Sequence, residues 1–385
     1  MTDFFEEVVG KENVSEEIGD KEVYSTDASC IQGKTRQVVW VEEAKQVHQI
    51  VLYAKRTKMN IVPRGGGTGL VGGCVPNESL VMDFSKMNKI IERDKEYVVV
   101  EPGITTDELN KKLGSIKFPI VPGNSKISTI GGMIAKNSLG LQSYRYGRMR
   151  DWVVGVKILD GTGKTKNLKG SELDEICGSE GCFGIILEAR LKLINKIEKR
   201  SLEVFKLEDI ESLIDRIYGL RTDKEIIGMH FMNSIAAKLS GFSDINYIIV
   251  EYEGYKGSIK DEARINKILD LVGNLNVSLA SYDYRIVQDP KLDLENIAEF
   301  LYWLKNNNIP CYGQIGLGVL HPCFKHLDQI KEMFLFIDKY NPEVTSGHGI
   351  GLLKKDYVKE IDKVKFNKMK EKYDPDKLLN RGKVA

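Results

Sequence analysis

Six glycines crowd the eleven residues "PRGGGTGLVGG" from Pro63 to Gly73. A backbone stripped of side chains in this way presents successive amide N–H groups, and the chemistry such a run can do is to hold an anion. Gly67, Gly69 and Gly72 also satisfy the G-x-G-x-x-G spacing of a dinucleotide turn. That turn needs a strand before it, a helix after it and an acidic residue about 20 positions on. "NIVPR" supplies the strand, but the following "GCVPNESLVMDFS" carries Pro76, a turn-like "NES" and then alternating apolar residues. A second strand follows, so the Rossmann turn is excluded by context. The nucleotide-binding phosphate loop is excluded as well, because no Gly-Lys-Ser/Thr closes the run. What remains is strand, bare loop, strand.

Two further clusters repeat the theme. "VPGNSKISTIGGMIAKNSLG" brings Ser128, Thr129, Gly131 and Gly132 together, and "GSEGCFGIILEARLKL" opens on three glycines before a strand. Three loops of amide and hydroxyl donors between apolar strands point to one extended, phosphate-containing ligand touched from several sides.

The elements that must position these loops read as an α/β first half. Val41, Ala44, Val47, Val51 and Ala54 recur at helical spacing and deliver the chain into "NIVPR". "SLVMDFS" and "YVVVEPG" read as strands, the second stopped by Pro102-Gly103. "TTDELNKKLG" is a helix with Thr105 or Thr106 as its cap, Asp107 and Glu108 in its first turn and Gly114 as its stop. From Asn195 onward the sequence turns to long charged helical stretches interrupted by strands such as "NYIIVEYEG". In "YVKEIDKVKFNKMKEKY", Val358, Ile361, Val364 and Met369 fall on one face and predict a packing stripe.

The chain has 385 residues, which exceeds the size at which one core usually divides, so two domains are expected. Lys plus Arg number 56 against 55 Asp plus Glu, a net charge of +1 that gives no reason to expect a nucleic acid or an acidic membrane as partner. No apolar run approaches the roughly 18 residues of a membrane span, and the acidic N-terminus is unlike a secretory signal. A cytoplasmic protein is expected, peripheral at the membrane only through a partner. The six cysteines form no C-x-x-C pair, and are read as reduced and structural.

Residues 24–194 resemble the FAD-binding (PCMH-type) domain of the vanillyl-alcohol oxidase superfamily, in the branch of D-lactate dehydrogenase and the glycolate oxidase D subunit. The resemblance rests on the order of the three loops, with "YRYGRMRDWVVGVKILDGTG" between the second and third, and on "SGHGIGLLKKDY" and "YDPDKLLNRGKVA" near the end. It implies an α+β protein with a two-subdomain FAD-binding domain over 1–195, a smaller, shortened α/β cap over 196–345, and a segment 346–385 returning to the first domain. It also implies FAD contacts from Pro63, Arg64, Gly65, Gly66, Gly67, Thr68, Gly69 and Gly72 in the first loop. Pro122, Ser128, Thr129, Gly131, Gly132, Asn137 and Gly147 come from the second, Gly181, Gly184 and Ile185 from the third, and Asn380 from the closing motif. Many relatives attach FAD through a histidine in or near the first loop. None of His48, His230, His321, His326 or His348 lies there, so non-covalent FAD is expected.

The same resemblance frames the chemistry. Metal-assisted members carry "GHxGDGNxH" and "GEHG"; here "GQIGLGVLH" places Gln314 and His321 at the two histidines, and "SGHG" places Gly347 at the glutamate. One ligand of three survives, whereas a catalytic zinc ordinarily takes three, so no metal is expected. His348 keeps the position beside the flavin and is read as general base, its ordinary pKa of about 6.5 suiting proton transfer near neutrality. Arg285 and Arg381 are the candidates for gripping a substrate carboxylate. The implied activity is FAD-dependent oxidation of a small 2-hydroxy acid of the D-lactate or glycolate class. The implied partners are an electron-acceptor protein or quinone and a second copy of the chain. Two alternatives stand beside it: a non-catalytic FAD-binding subunit of a larger complex, and an oxidase of another alcohol or a sugar lactone.

Overall fold

The computed structural model describes residues 2–384; the outermost limits of the expected division, Met1 and Ala385, lie outside them. Among these residues the strands assemble into sheets of four, five, two and six. In the four-stranded sheet, Lys34–Trp40 pairs in parallel with Asn77–Asp83, which pairs in parallel with Ile61–Arg64. Helix Ala44–Thr57 makes the crossover from the first of these strands to the last. It begins where Gln46 Oε1 accepts the backbone N–H of Glu42 and Glu43, and it stops at Lys58 in the left-handed region. Its Val47, Ile50, Val51 and Ala54 pack with Val39, Ile61, Leu80 and Met82 of the sheet in one apolar core. The return from Ile61–Arg64 to Asn77–Asp83 contains no helix; the glycine run itself is the crossover between two parallel strands. Parallel pairs usually need a helix for this step.

The five-stranded sheet is antiparallel in the order Ile90–Arg93, Tyr97–Val100, Gly184–Lys192, Val153–Asp160, Thr165–Lys169. Helices Thr106–Leu113 and Ile130–Lys136 contribute Leu109, Leu113, Ile130, Met133 and Ile134 to the core that also holds Val98, Val100, Ile158 and Leu191 of the sheet. Thr105 caps the first of these helices by accepting the Glu108 N–H at 3.2 Å, and Gly114 ends it.

The six-stranded antiparallel sheet is built from Arg200–Leu207, Asn246–Glu253, Ile226–Met232, Cys311–Gln314, Val319–Phe324 and Ile286–Val287, in that spatial order. Successive strand residues point to opposite faces, and both faces are covered. Ile248, Val250 and Tyr252 join the core under helices Ile210–Leu220, Leu294–Asn306 and Leu327–Ile337. Tyr247 and Ile249 join the core under Ser234–Leu239, Glu262–Gly273 and Leu275–Ala280. The same alternation sets His230, between Met229 and Phe231, on the face opposite to theirs.

The chain then returns to the first sheet: Ile61 N–H donates to Leu378 O and Asn380 N–H to Ile61 O, both at 2.8 Å. Helix Glu360–Tyr373 corrects one expectation. Ile361 and Val364 are 64% and 60% exposed, and of the expected stripe on this helix Met369 alone joins the core. The helix docks through Phe366, Met369 and Tyr373. Its rotation is set by Lys370, whose ammonium donates to the Cys182 and Leu379 carbonyls at 2.7 and 2.6 Å and pairs with Asp374 at 2.6 Å. A lysine with all its donors satisfied inside the fold outweighs two apolar side chains left outside. Among the described residues no helix is long and apolar enough to cross a membrane, and the cysteines are free thiols.

Candidate active site

The three glycine loops converge. A Cβ on Gly66 would run into the Ile127 carbonyl, and one on Gly65 into the Thr129 hydroxyl, so first and second loops meet at backbone distance. Gly67 has φ +63°, a conformation that costs any residue with a Cβ about 1 kcal/mol or more. Thr68 Oγ1 lies 3.2 Å from Ser128 Oγ, which in turn is 2.7 Å from Asn124 Oδ1. Thr129 caps helix Ile130–Lys136, its Oγ1 accepting the Gly132 N–H at 3.3 Å. Two small adjoining cavities of about 70 and 80 Å³ run between the loops. Pro63, Arg64, Gly65, Gly131, Gly132, Gly181, Gly184 and Ile185 line one, and Gly65 to Gly69, Ser128 and Thr129 line the other.

A larger cavity of about 530 Å³ opens beside them, between this domain and the six-stranded sheet. Gly66, Gly67, Thr68, Pro122 and Ser128 form its wall on one side; His230, Tyr312, Gln314, His321 and His348 form the other. The rings of His321 and His348 stack, with centroids 4.7 Å apart and planes 8° apart. Beneath them lies Asp289, fully buried. Its Oδ2 accepts the backbone N–H groups of Ser346, Gly347 and His348 at 2.8, 2.9 and 2.9 Å, and Thr345 Oγ1 donates to it at 3.1 Å. Its Oδ1 pairs with the equally buried Lys354 and lies 3.9 Å from His348 Nδ1. Burial acts to raise the Asp289 pKa, but the charge and hydrogen bond of Lys354 oppose it, and the carboxyl stays well below the usual range. Burial in turn pushes the His348 imidazole well below its ordinary pKa, against the pull of Asp289, and lowers that of His321. Both rings are therefore neutral bases at neutral pH. His348 Nδ1 is buried without a hydrogen-bond partner on the Asp289 side, which leaves Nε2 for the cavity.

Other expected site residues stand elsewhere. Arg64 Nη1 turns back to donate to the Thr26 carbonyl at 2.7 Å. Gly72 has φ +77° and turns the first loop without lining a cavity. Asn137 ends helix Ile130–Lys136 in the left-handed region while its Oδ1 accepts the Arg150 N–H at 2.9 Å, and Gly147 ends the short helix Ser143–Tyr146. Asn380 is a clamp, its Nδ2 donating to the Gly73 and Glu180 carbonyls, each at 2.7 Å. Arg285 is a surface residue paired with Asp283 at 3.3 Å, and Arg381 is exposed. Neither of the two arginines expected to grip a substrate carboxylate lines the cavity: both lie at the surface, where water solvates them.

Asp289, Lys354 and Glu180 stand at the site with no motif in the sequence to mark them. Glu180 is buried and accepts the Ile350 and Gly351 N–H groups at 2.5 and 2.9 Å, tying the third loop to the segment after His348. The ligand set of the metal-assisted relatives does not fit. Gln314 Nε2 donates to the Gly140 carbonyl at 2.9 Å, and Gly347 brings only a backbone N–H to Asp289. Among the described residues no three His, Cys, Asp or Glu side chains converge on a point that could hold a metal ion.

A flavin dinucleotide fits by contrast. The loops meet where a Cβ would collide, leaving backbone donors along the small cavities, and two residues that line the large cavity have a buried polar atom without a partner, His230 Nε2 and Gln314 Oε1.

Comparison with known proteins agrees. Residues 35–169 match the FAD binding domain family and residues 263–384 the C-terminal domain of FAD linked oxidases. The glycolate oxidase subunit GlcD of Bacillus subtilis is 27% identical over 98% of this chain and 95% of its own. A D-lactate dehydrogenase of Anaerostipes hadrus is 27% identical over 100% and 97%, and a D-2-hydroxyglutarate dehydrogenase of Stutzerimonas stutzeri 25% identical over 90% and 90%. Among solved structures, 4-ethylphenol oxidase of Gulosibacter chungangensis superposes with a TM-score of 0.80 at 14% identity, covering 100% of this chain and 96% of that one. Alkyldihydroxyacetonephosphate synthase superposes at 0.73 and 19%, covering 96% and 82%; both likenesses concern the fold. With an FAD binding domain in front, the C-terminal domain of FAD linked oxidases behind, and similarity along its whole length to D-lactate dehydrogenases and a glycolate oxidase subunit, the chain belongs with the FAD-linked oxidases and dehydrogenases.

Proposed function

We propose that this chain oxidises a small 2-hydroxy acid of the D-lactate or glycolate class, with non-covalently held FAD as cofactor. The observation that carries the reading is His348, a neutral imidazole facing the cavity from a loop that the buried Asp289 holds by three backbone N–H groups. The names of the relatives support the substrate class.

FAD, when bound, supplies a hydride acceptor. The chain's own residues do the rest. His348 Nε2 takes the substrate's hydroxyl proton, and the Asp289 carboxylate, 3.9 Å from Nδ1, stabilises the imidazolium that results. Stacking on His321 fixes the plane of the ring. Backbone donors of Gly65 to Gly69, which line the small cavity, would hold the pyrophosphate. We assign these roles to a division of the chain into an FAD domain over 1–195, a cap over 196–345 and a returning segment over 346–385. An electron-acceptor protein or a quinone reoxidises the cofactor.

The test is to mix the purified yellow protein anaerobically with D-lactate, L-lactate, glycolate and D-2-hydroxyglutarate and follow the flavin absorbance. Bleaching by one of them is the expected result. A flavin that stays oxidised with all four, yet is reduced by dithionite, would mean that the chain holds FAD without oxidising hydroxy acids. Flavin appearing in the supernatant after heat denaturation identifies it as non-covalent.

A further inference from the structure

A 2-hydroxy acid brings a carboxylate, and the two arginines expected to meet it lie outside the cavity. Among the residues that line that cavity, Lys136 is the sole lysine or arginine. It is the last residue of helix Ile130–Lys136, delivered there because Asn137 ends the helix in the left-handed region. Its side chain borders two spaces at once: the small cavity with Gly65 to Gly69, and the large cavity with His348 and Asp289.

Among the described residues Lys136 makes no hydrogen bond and no ion pair; the groups whose fields reach it are Cys74, Asp27, Glu180 and Asp289. Each acidic partner is engaged elsewhere. Asp289 is bound by Lys354 and the loop 345–348, Glu180 by Ile350 and Gly351, and Asp27 by Ser29. A half-buried ammonium that lines the cavity with its three donors unused is ready to meet an arriving anion. The field of Lys136 also reaches His348. In a 2-hydroxy acid the carbon bearing the hydroxyl adjoins the carboxylate, so a base and a cation lining one cavity match the two groups to be held.

We propose that Lys136 binds the substrate carboxylate, with His348 on the hydroxyl. The assignment rests on the proposed function. The other anion within reach is the cofactor's pyrophosphate, for which the glycine loops already offer backbone donors; the large cavity offers the substrate no other lysine or arginine.

The test uses oxalate, a redox-inert two-carbon dicarboxylate, titrated into the FAD-loaded protein and followed by the visible spectrum of the flavin. FAD affinity is measured separately by fluorescence. Lys136→Met is expected to weaken oxalate binding about ten- to a hundred-fold, the value of a charge-assisted hydrogen bond, and to leave FAD affinity within about threefold. Lys136→Arg is expected to retain most of the oxalate affinity, and it provides the comparison should Lys136→Met fold poorly. Unchanged oxalate binding in Lys136→Met overturns the assignment. So does a loss confined to FAD affinity, or a wild-type flavin blind to oxalate. Oxalate binding that depends on Lys136 in a protein that oxidises no hydroxy acid sinks the proposed function and leaves the carboxylate site standing. Hydroxy-acid oxidation with the same KM in both proteins does the reverse.

Discussion

The Asp289 carboxylate and the Lys354 ammonium meet in an ion pair from which water is wholly excluded, and the same carboxylate carries the loop that presents His348. Removing one partner of such a pair strands the other charge, which typically costs about 3–5 kcal/mol. Lys354→Met should therefore lower the unfolding free energy, read from urea curves, by that order and reduce turnover as the loop 345–348 loosens. The folded-state pKa of Asp289 is depressed, so its contribution to stability is fully present above the ordinary carboxyl value of about 3.9 and is lost as pH falls below it. Denaturation midpoints taken between pH 3 and pH 7 should fall more steeply at the acid end in wild type than in Asp289→Asn. Parallel curves would show that the carboxylate is not what binds the loop.

His348→Ala should lower the rate of flavin reduction about 10²- to 10⁴-fold while FAD stays bound. Burial holds the His348 pKa below its ordinary value, so the ring remains an unprotonated base under mildly acidic conditions. The acid limb of the kcat/KM profile should accordingly lie below about pH 6.5 and vanish in the alanine variant. His321→Ala should cost far less, about three- to tenfold, the worth of a stacked aromatic contact. Equal losses in the two variants would assign the proton to the pair rather than to His348.

Chelation separates this chain from metal-assisted relatives. Gln314 and Gly347 stand where two of three ligands would be, so activity should survive exhaustive dialysis against a chelator and gain nothing from zinc, manganese or cobalt. Loss on chelation, restored by one of these ions, would show a ligand set drawn from other residues.

The two glycine loops should respond unequally to a methyl group. At Gly66 a Cβ collides with the Ile127 carbonyl, which is backbone and cannot swing aside, so Gly66→Ala should part the loops and abolish FAD retention. At Gly132 the nearest atom is Thr129 Oγ1 at 3.2 Å, the end of a side chain that can yield. Gly132→Ala should retain FAD, whereas Gly132→Val should release it. Flavin content after gel filtration, read from absorbance, decides between these outcomes.

Arg285→Ala and Arg381→Ala should leave kcat/KM for the best hydroxy acid within about twofold, since both side chains lie at the surface, where single charges contribute little. A tenfold rise in KM for either variant would place that arginine at the substrate in a closed form of the protein.

Local rules carried much of this protein. The glycine loops, the helix Ala44–Thr57 with its apolar face, the Thr105 cap and the strands on either side of the first loop were legible because each depends on neighbours within a turn or a pleat. The place of His348 was legible through resemblance, which carries family history rather than geometry. Tertiary structure alone decided what lies around it. Asp289 and Lys354 stand 65 residues apart, and nothing in "VQDP" or "LLKKDY" marks two charges that neutralise each other inside the fold. Lys136 ends a helix whose pattern reads the same whether its last residue meets water or a cavity. Arg285 and Arg381 had the right chemistry, and only the folded chain showed them on the outside. The helix Glu360–Tyr373 failed in the same way, because the satisfied donors of Lys370 set its rotation against its apolar periodicity. Periodicity reports how much apolar surface a segment can bury; where a charge ends up depends on partners that the chain brings together only by folding.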